Sequence, residues 1–180
     1  MTQTGYKGIT TFHSQLSFTG GFCQWWYTQR ESISLWPAID PVTQYLLAEP
    51  TLNAGATWFG PVKVPDSQLG FQEEPQLTKA GIYYKQKVSG FYPGDGAESR
   101  INLENMPYAE FVIVGKMRAG GIYLILGNKD FGLTFLPPFK SGEGAKHTAG
   151  TELSFIGESL NKAIILPAFA AVNITPPPDL

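Results

Sequence analysis

Twenty glycines and fourteen prolines interrupt this 180-residue chain, spread between short apolar segments rather than gathered into one tract. An ordinary protein carries about 12% of the two residues together, and this chain carries well above that. Spread in this way they act as punctuation, because glycine supplies turn conformations while proline stops helices and interior strands. Aromatic residues make up 13% of the chain and charged residues 16%, so there is enough bulky apolar surface to drive folding. Short apolar runs separated by frequent turns predict an all-β fold, a β-sandwich or small barrel. The length suits one domain, expected to span residues 1–180.

The strands show in the patterning. Over residues 10–18, Phe12, Leu16 and Phe18 share one parity, with Thr11, His13, Gln15 and Ser17 on the other. Ile82, Tyr84 and Val88 repeat this alternation against Tyr83, Lys85 and Lys87, as a half-buried strand requires. Residues 111–114 and 122–126 are continuously apolar, which suits strands covered on both faces. Turn-rich residues 118–121 and 127–130 link them to each other and to 131–136, predicting a three-stranded meander. Residues 151–156 and 163–166 are expected to extend the sheet.

One short helix is predicted over residues 41–47. Asp40 is a good N-cap, Pro41 stands at the first helical position, and Val42, Tyr45 and Leu46 would share a face. Glu49-Pro50 would end it, because a residue before proline avoids the helical region. The polar, glycine-rich stretch 140–150 predicts a long loop. The proline-rich end, residues 176–180, is expected to run extended on the surface.

The same inventory bounds the chemistry. A single cysteine, Cys23, and two histidines, His13 and His147, exclude a disulfide framework and leave no multi-cysteine zinc site. A net charge of -2 lacks the basic face of a sequence-specific nucleic-acid reader. No apolar run reaches the ~18 residues of a spanning helix, and the first residues lack a signal-peptide core. Ser159 and Lys162 match a Ser-x-x-Lys spacing without its companion motifs, so a surface turn is expected there. Asp95 and Glu98 lie in a Pro-Gly-Asp-Gly turn, His13 falls on a polar strand face, and Cys23 beside Phe22 and Trp25 reads as a small buried hydrophobe. No catalytic residue, metal or cofactor is expected, and the chain reads as non-enzymatic.

All four tryptophans fall in the first 58 residues: Trp25, Trp26, Trp36 and Trp58. Such rings can form an aromatic interface with a partner, or stack on sugars in a carbohydrate-binding β-sandwich. The alternative is core, since adjacent Trp25 and Trp26 point to opposite faces of one strand and one of them must be buried.

Two stretches carry a resemblance. Residues 90–95 (GFYPGD) lead to 103–108 (LENMPY) and 112–116 (VIVGK); residues 120–127 (GGIYLILG) lead through Leu133-Thr134-Phe135 to a loop-strand unit at 140–155. Together they resemble virion structural proteins of tailed bacteriophages, of the tail-tube, tail-completion or neck type. The resemblance implies a subunit that assembles with itself into a ring or tube, a hexamer being one order it allows, and with other virion proteins. It implies no catalytic residues and a location in the virion. It would make the loop that holds Lys140, Glu143, Lys146 and His147 an assembly interface. The mixed charges there suit pairing with a neighbour's surface.

Overall fold

The computed structural model describes residues 21–62, 70–79, 81–93, 104, 106–118, 121–136, 139–140, 150–170 and 174–175. Thirteen strands lie in these residues: β1 (Phe22–Gln29), β2 (Ile33–Leu35), β3 (Thr51–Leu52), β4 (Trp58–Val62), β5 (Gly70–Thr78), β6 (Gly81–Pro93), β7 (Glu110–Met117), β8 (Tyr123–Leu126), β9 (Leu133–Phe135), β10 (Phe139–Lys140), β11 (Gly150–Ser159), β12 (Ile164–Leu166) and β13 (Ile174–Thr175). Eleven of them form one sheet, while β2 and β3 pair separately. The fold is all-β, as the punctuation predicts.

Strand β7 organises the molecule. One edge pairs along its length with β1, from Phe22↔Met117 to Gln29↔Phe111. The other edge is shared end to end, β9 taking Glu110 and Phe111 and β8 taking Ile113 to Lys116. From this fork the sheet leaves in two arms, β9–β11–β6–β5 and β8–β12. The apolar run at the fork serves both sides. Phe111 and Ile113 enter one core with Phe22, Trp25, Phe135 and Phe155, while Val112 and Val114 enter a second with Trp26, Leu46, Trp58 and Phe169.

The long arm curls back over the first core. Phe71 on β5 stacks on Phe22 of β1 with ring centroids 5.4 Å apart. Trp25 meets Phe155 of β11 edge-on at 5.3 Å, a favourable arrangement of ring quadrupoles. The result is an open, barrel-like layer with the short arm packed on its other side.

Two local expectations are corrected. Residues 41–47 form no helix. Asp40 does cap, its Oδ1 accepting from the amides of Val42 at 2.7 Å and Thr43 at 3.2 Å, but the turn stops at once. Gln44 takes a left-handed φ of 61°, Asp40 N donates to Tyr45 O, and Leu46 N donates to Ile165 O. One helical turn fixes several dihedrals for a single hydrogen bond, whereas the bridge to Ile165 carries Leu46 into the core at 0% exposure. Nor do 111–136 make a simple meander. Strands β8 and β9 both lie against β7, because an eight-residue strand has room for a four- and a three-residue neighbour in line.

Residues 10–18, 141–149 and 176–180 lie outside the described residues, and with them His13, Asp95, Glu98, Glu143, Lys146 and His147. The backbone of Lys140 is described, pairing with Gly150 where β10 meets β11.

Candidate functional site

Three strands finish together at one end of the long arm, and their last side chains do not close over the core. Strands β5 and β6 meet in a tight turn where Thr78 Oγ1 donates to Gly81 O at 2.9 Å. Just before it, Leu77 pairs with Ile82. Beside them β11 ends at Ser159, followed by Leu160. The turn before β9 adds Phe131, set by the Asn128 side chain, whose Oδ1 accepts from the amides of Asp130 and Phe131 at 2.8 Å each. Four large apolar side chains are left in water: Leu77 at 83% exposure, Leu160 at 65%, Ile82 at 53% and Phe131 at 46%.

Ile82, Phe131 and Leu160 line a cleft of about 330 Å³ with Thr78, Tyr83 and Glu158. On the far side of Leu160 lies a second cleft of about 360 Å³, between Tyr45, Tyr84 and the 161–165 segment. Leu160 is common to both, so the exposed surface is continuous. Lys162 sits over the Tyr84 ring, 5.8 Å from its centroid.

A buried polar clamp fixes this end. Gln86 occupies the inward parity of β6 and is 2% exposed. Its Nε2 donates to Glu73 Oε2 at 3.1 Å and lies 3.5 Å from Asn161 O, while its Oε1 accepts from Gly127 N at 3.3 Å. Glu73 Oε2 also accepts from Ala163 N at 2.5 Å. Ser159 Oγ accepts from Asn161 N at 3.2 Å. The chain on both sides of Leu160 is thereby tied down, and the leucine is held outward. Ser159 is itself buried at 6% exposure and closes β11, while Leu160, Asn161 and Lys162 form the exposed turn expected of the segment.

Elsewhere, Arg30 and Glu110 form a half-exposed ion pair with a 2.5 Å contact, beside a polar cleft of about 220 Å³. Exposed pairs of this kind contribute little. Cys23 is half-buried and its Sγ lies 3.4 Å from Lys116 O. Burial raises the Tyr27 phenol pKa. The backbone amides of Val42 and then Thr43 lower that of Asp40. Among the described residues no three His, Cys, Asp or Glu side chains converge on a common point, and no helix is long and apolar enough to cross a membrane.

The tryptophans take the core alternative of the readings open to them. Trp25 and Trp58 are each 1% exposed and Trp26 is 6% exposed. Trp25 and Trp26 do point to opposite faces of β1, but both faces are covered, because β1 runs beside the doubly buried β7. Trp26 and Trp58 close on Phe169 at 5.1 and 5.3 Å. Only Trp36 is half-buried, against the second core. Of the candidate indoles Trp25, Trp26, Trp36 and Trp58, three are therefore core, and the exposed apolar groups of the sheet end are aliphatic side chains and Phe131. Sequence reasoning did not find that end or its clamp. The available signal was position 86, a glutamine in the apolar parity of β6. No protein-family model, no curated protein and no solved structure matches the chain.

Proposed function

We propose that the chain is a non-enzymatic structural subunit that works by associating with itself, in the setting of a tailed-phage-like virion as a tail-tube, tail-completion or neck component. The observation that carries the association is the continuous apolar surface at the sheet end, with Leu77 and Leu160 mostly in water on an ordered, clamped scaffold. Contiguous exposed apolar patches of this kind mark interaction sites. A rigid patch also loses little conformational freedom when it is covered. The virion setting rests on the resemblance of residues 90–155 together with the β-rich architecture.

Light scattering across a range of protein concentrations, with electron micrographs of the same samples, tests this reading. Closed multi-subunit particles are the expected result, and a monomer at every concentration overturns it. The carbohydrate-binding alternative needs exposed indole faces, which Trp25, Trp26 and Trp58 do not offer. A glycan screen is accordingly expected to return no ligand.

A further inference from the structure

Resting on that self-association reading, we propose that the late segment carrying Phe169 and β13 is an exchangeable arm, which in the assembly seats in the groove of a neighbouring copy of this chain. The groove is defined by the segment that fills it. Phe169 lies among Trp26 of β1, Trp58 of β4 and Tyr123 of β8, with ring centroids 5.1, 5.3 and 5.9 Å away. Beyond it Ala170 N donates to Glu49 Oε1. Strand β13 then adds to β4 in parallel, with Ile174 opposite Trp58 and Thr175 opposite Phe59. Strand addition with a side chain held in a pocket is a recurrent way for a sheet edge to capture an extended peptide.

The arm is separable from the rest of the fold. Phe169 is 8% exposed, whereas Pro167, Ala168 and Ala170 around it are all exposed. Redirecting the chain at Pro167 and Ala168 therefore moves one core side chain, that of Phe169. Strand β13 stands at the end of the sheet and pairs with β4 alone among the described strands, so its departure breaks no other pairing.

Exchange substitutes each contact by its copy. A neighbour's Phe169 fills the same three-ring cage, and the second core stays whole. Swapping an identical element between copies is a low-cost route to association. In an isolated chain the tether favours the arm's own groove; in an assembly an adjoining groove is also presented at high effective concentration. Arm and groove are different surfaces, so the contact runs head to tail, the kind that closes rings. Fully extended, the chain from Leu166 to Ile174 spans at most about 28 Å, which restricts exchange to adjoining copies.

The test places single thiols at the paired positions, Phe59→Cys in the groove and Thr175→Cys in the arm, each in a Cys23→Ser chain. The two variants are refolded together and oxidised, and the linked positions are read by mass spectrometry, with circular dichroism as the check on folding. A groove-to-arm disulfide joining two chains, at twice the chain mass, is the expected product. A mixture that yields only same-site disulfides or none, while the wild type assembles, overturns the exchange and leaves the self-association reading standing. A chain carrying both substitutions that forms no groove-to-arm disulfide, within or between chains, overturns the seating of the arm. Phe169→Ala, which needs no new thiol, is expected to weaken assembly about tenfold; a folded Phe169→Ala that assembles like the wild type also overturns the proposal. A wild type that sediments as a monomer at every concentration overturns both readings.

Discussion

The carboxamide of Gln86 reaches the carboxylate of Glu73 across the β5–β6 hairpin, with Nε2 3.1 Å from Oε2, and the two side chains together hold three separate segments at one end of the sheet. Gln86→Leu removes the donor and the acceptor of the Gln86 carboxamide at a 2%-exposed position. The Gly127 amide then loses its side-chain acceptor. A buried polar group left unpaired costs about 1–3 kcal/mol. Urea denaturation is expected to show a loss in that range.

Gln86→Glu is expected to behave differently with pH. It sets a second carboxyl against Glu73, and two carboxyls that close favour holding one proton between them. The introduced group then titrates above its unfolded value, so its stabilising share is present at low pH and lost as pH rises through the folded value. Melting temperatures of this variant should fall relative to the wild type as pH rises.

Asp40 gives the opposite sign. Its carboxylate accepts the amides of Val42 and Thr43, which lowers its pKa in the folded chain. The contribution is complete above the unfolded carboxylate value and disappears as pH falls through the lower folded one. Asp40→Ala should therefore melt below the wild type at neutral pH, with the gap closing in acid. Asp40→Asn, which keeps an acceptor oxygen, should show a smaller gap.

Gly115 is buried on β7 beneath Phe22, and a β-carbon there would fall onto the Phe22 ring. Overpacking of this kind typically costs about 1–3 kcal/mol. Gly115→Ala is expected to lose stability in that range, and adding Phe22→Leu to recover part of it. A neutral Gly115→Ala in chemical denaturation would contradict the packing described.

Tryptophan fluorescence reads the burial of the four indoles directly. With Trp25, Trp26 and Trp58 enclosed and Trp36 half-buried, iodide should quench a minor component of the emission. Trp36→Phe should remove that component. Quenching that persists in Trp36→Phe would place another indole at the surface.

Period-two alternation identified β6, and the unbroken run 111–114 identified a strand covered on both faces, because side-chain direction in a strand follows directly from position. The turn at Asp40 was legible as a cap but not as a turn alone. What decides between them is Ile165, 125 residues away from Asp40, whose carbonyl draws Leu46 out of helical register. The candidate site was the least legible part. Leu160 resembles any leucine that follows a strand, and its exposure follows from hydrogen bonds contributed by neighbouring Ser159 and by Gln86 and Glu73 on distant segments. The tryptophans left core and interface both open, because an aromatic cluster has the same composition whether its second face is covered or open.

Strand β7 carries a mechanical consequence. As the common wall of two hydrophobic compartments, it cannot shift outward for one without opening the other, since Ile113 and Val114 are neighbours that face opposite ways. Loss of either compartment therefore propagates through the wall. The chain is expected to melt in one cooperative step, with the amides of Val112 to Val114 among the last to exchange with solvent.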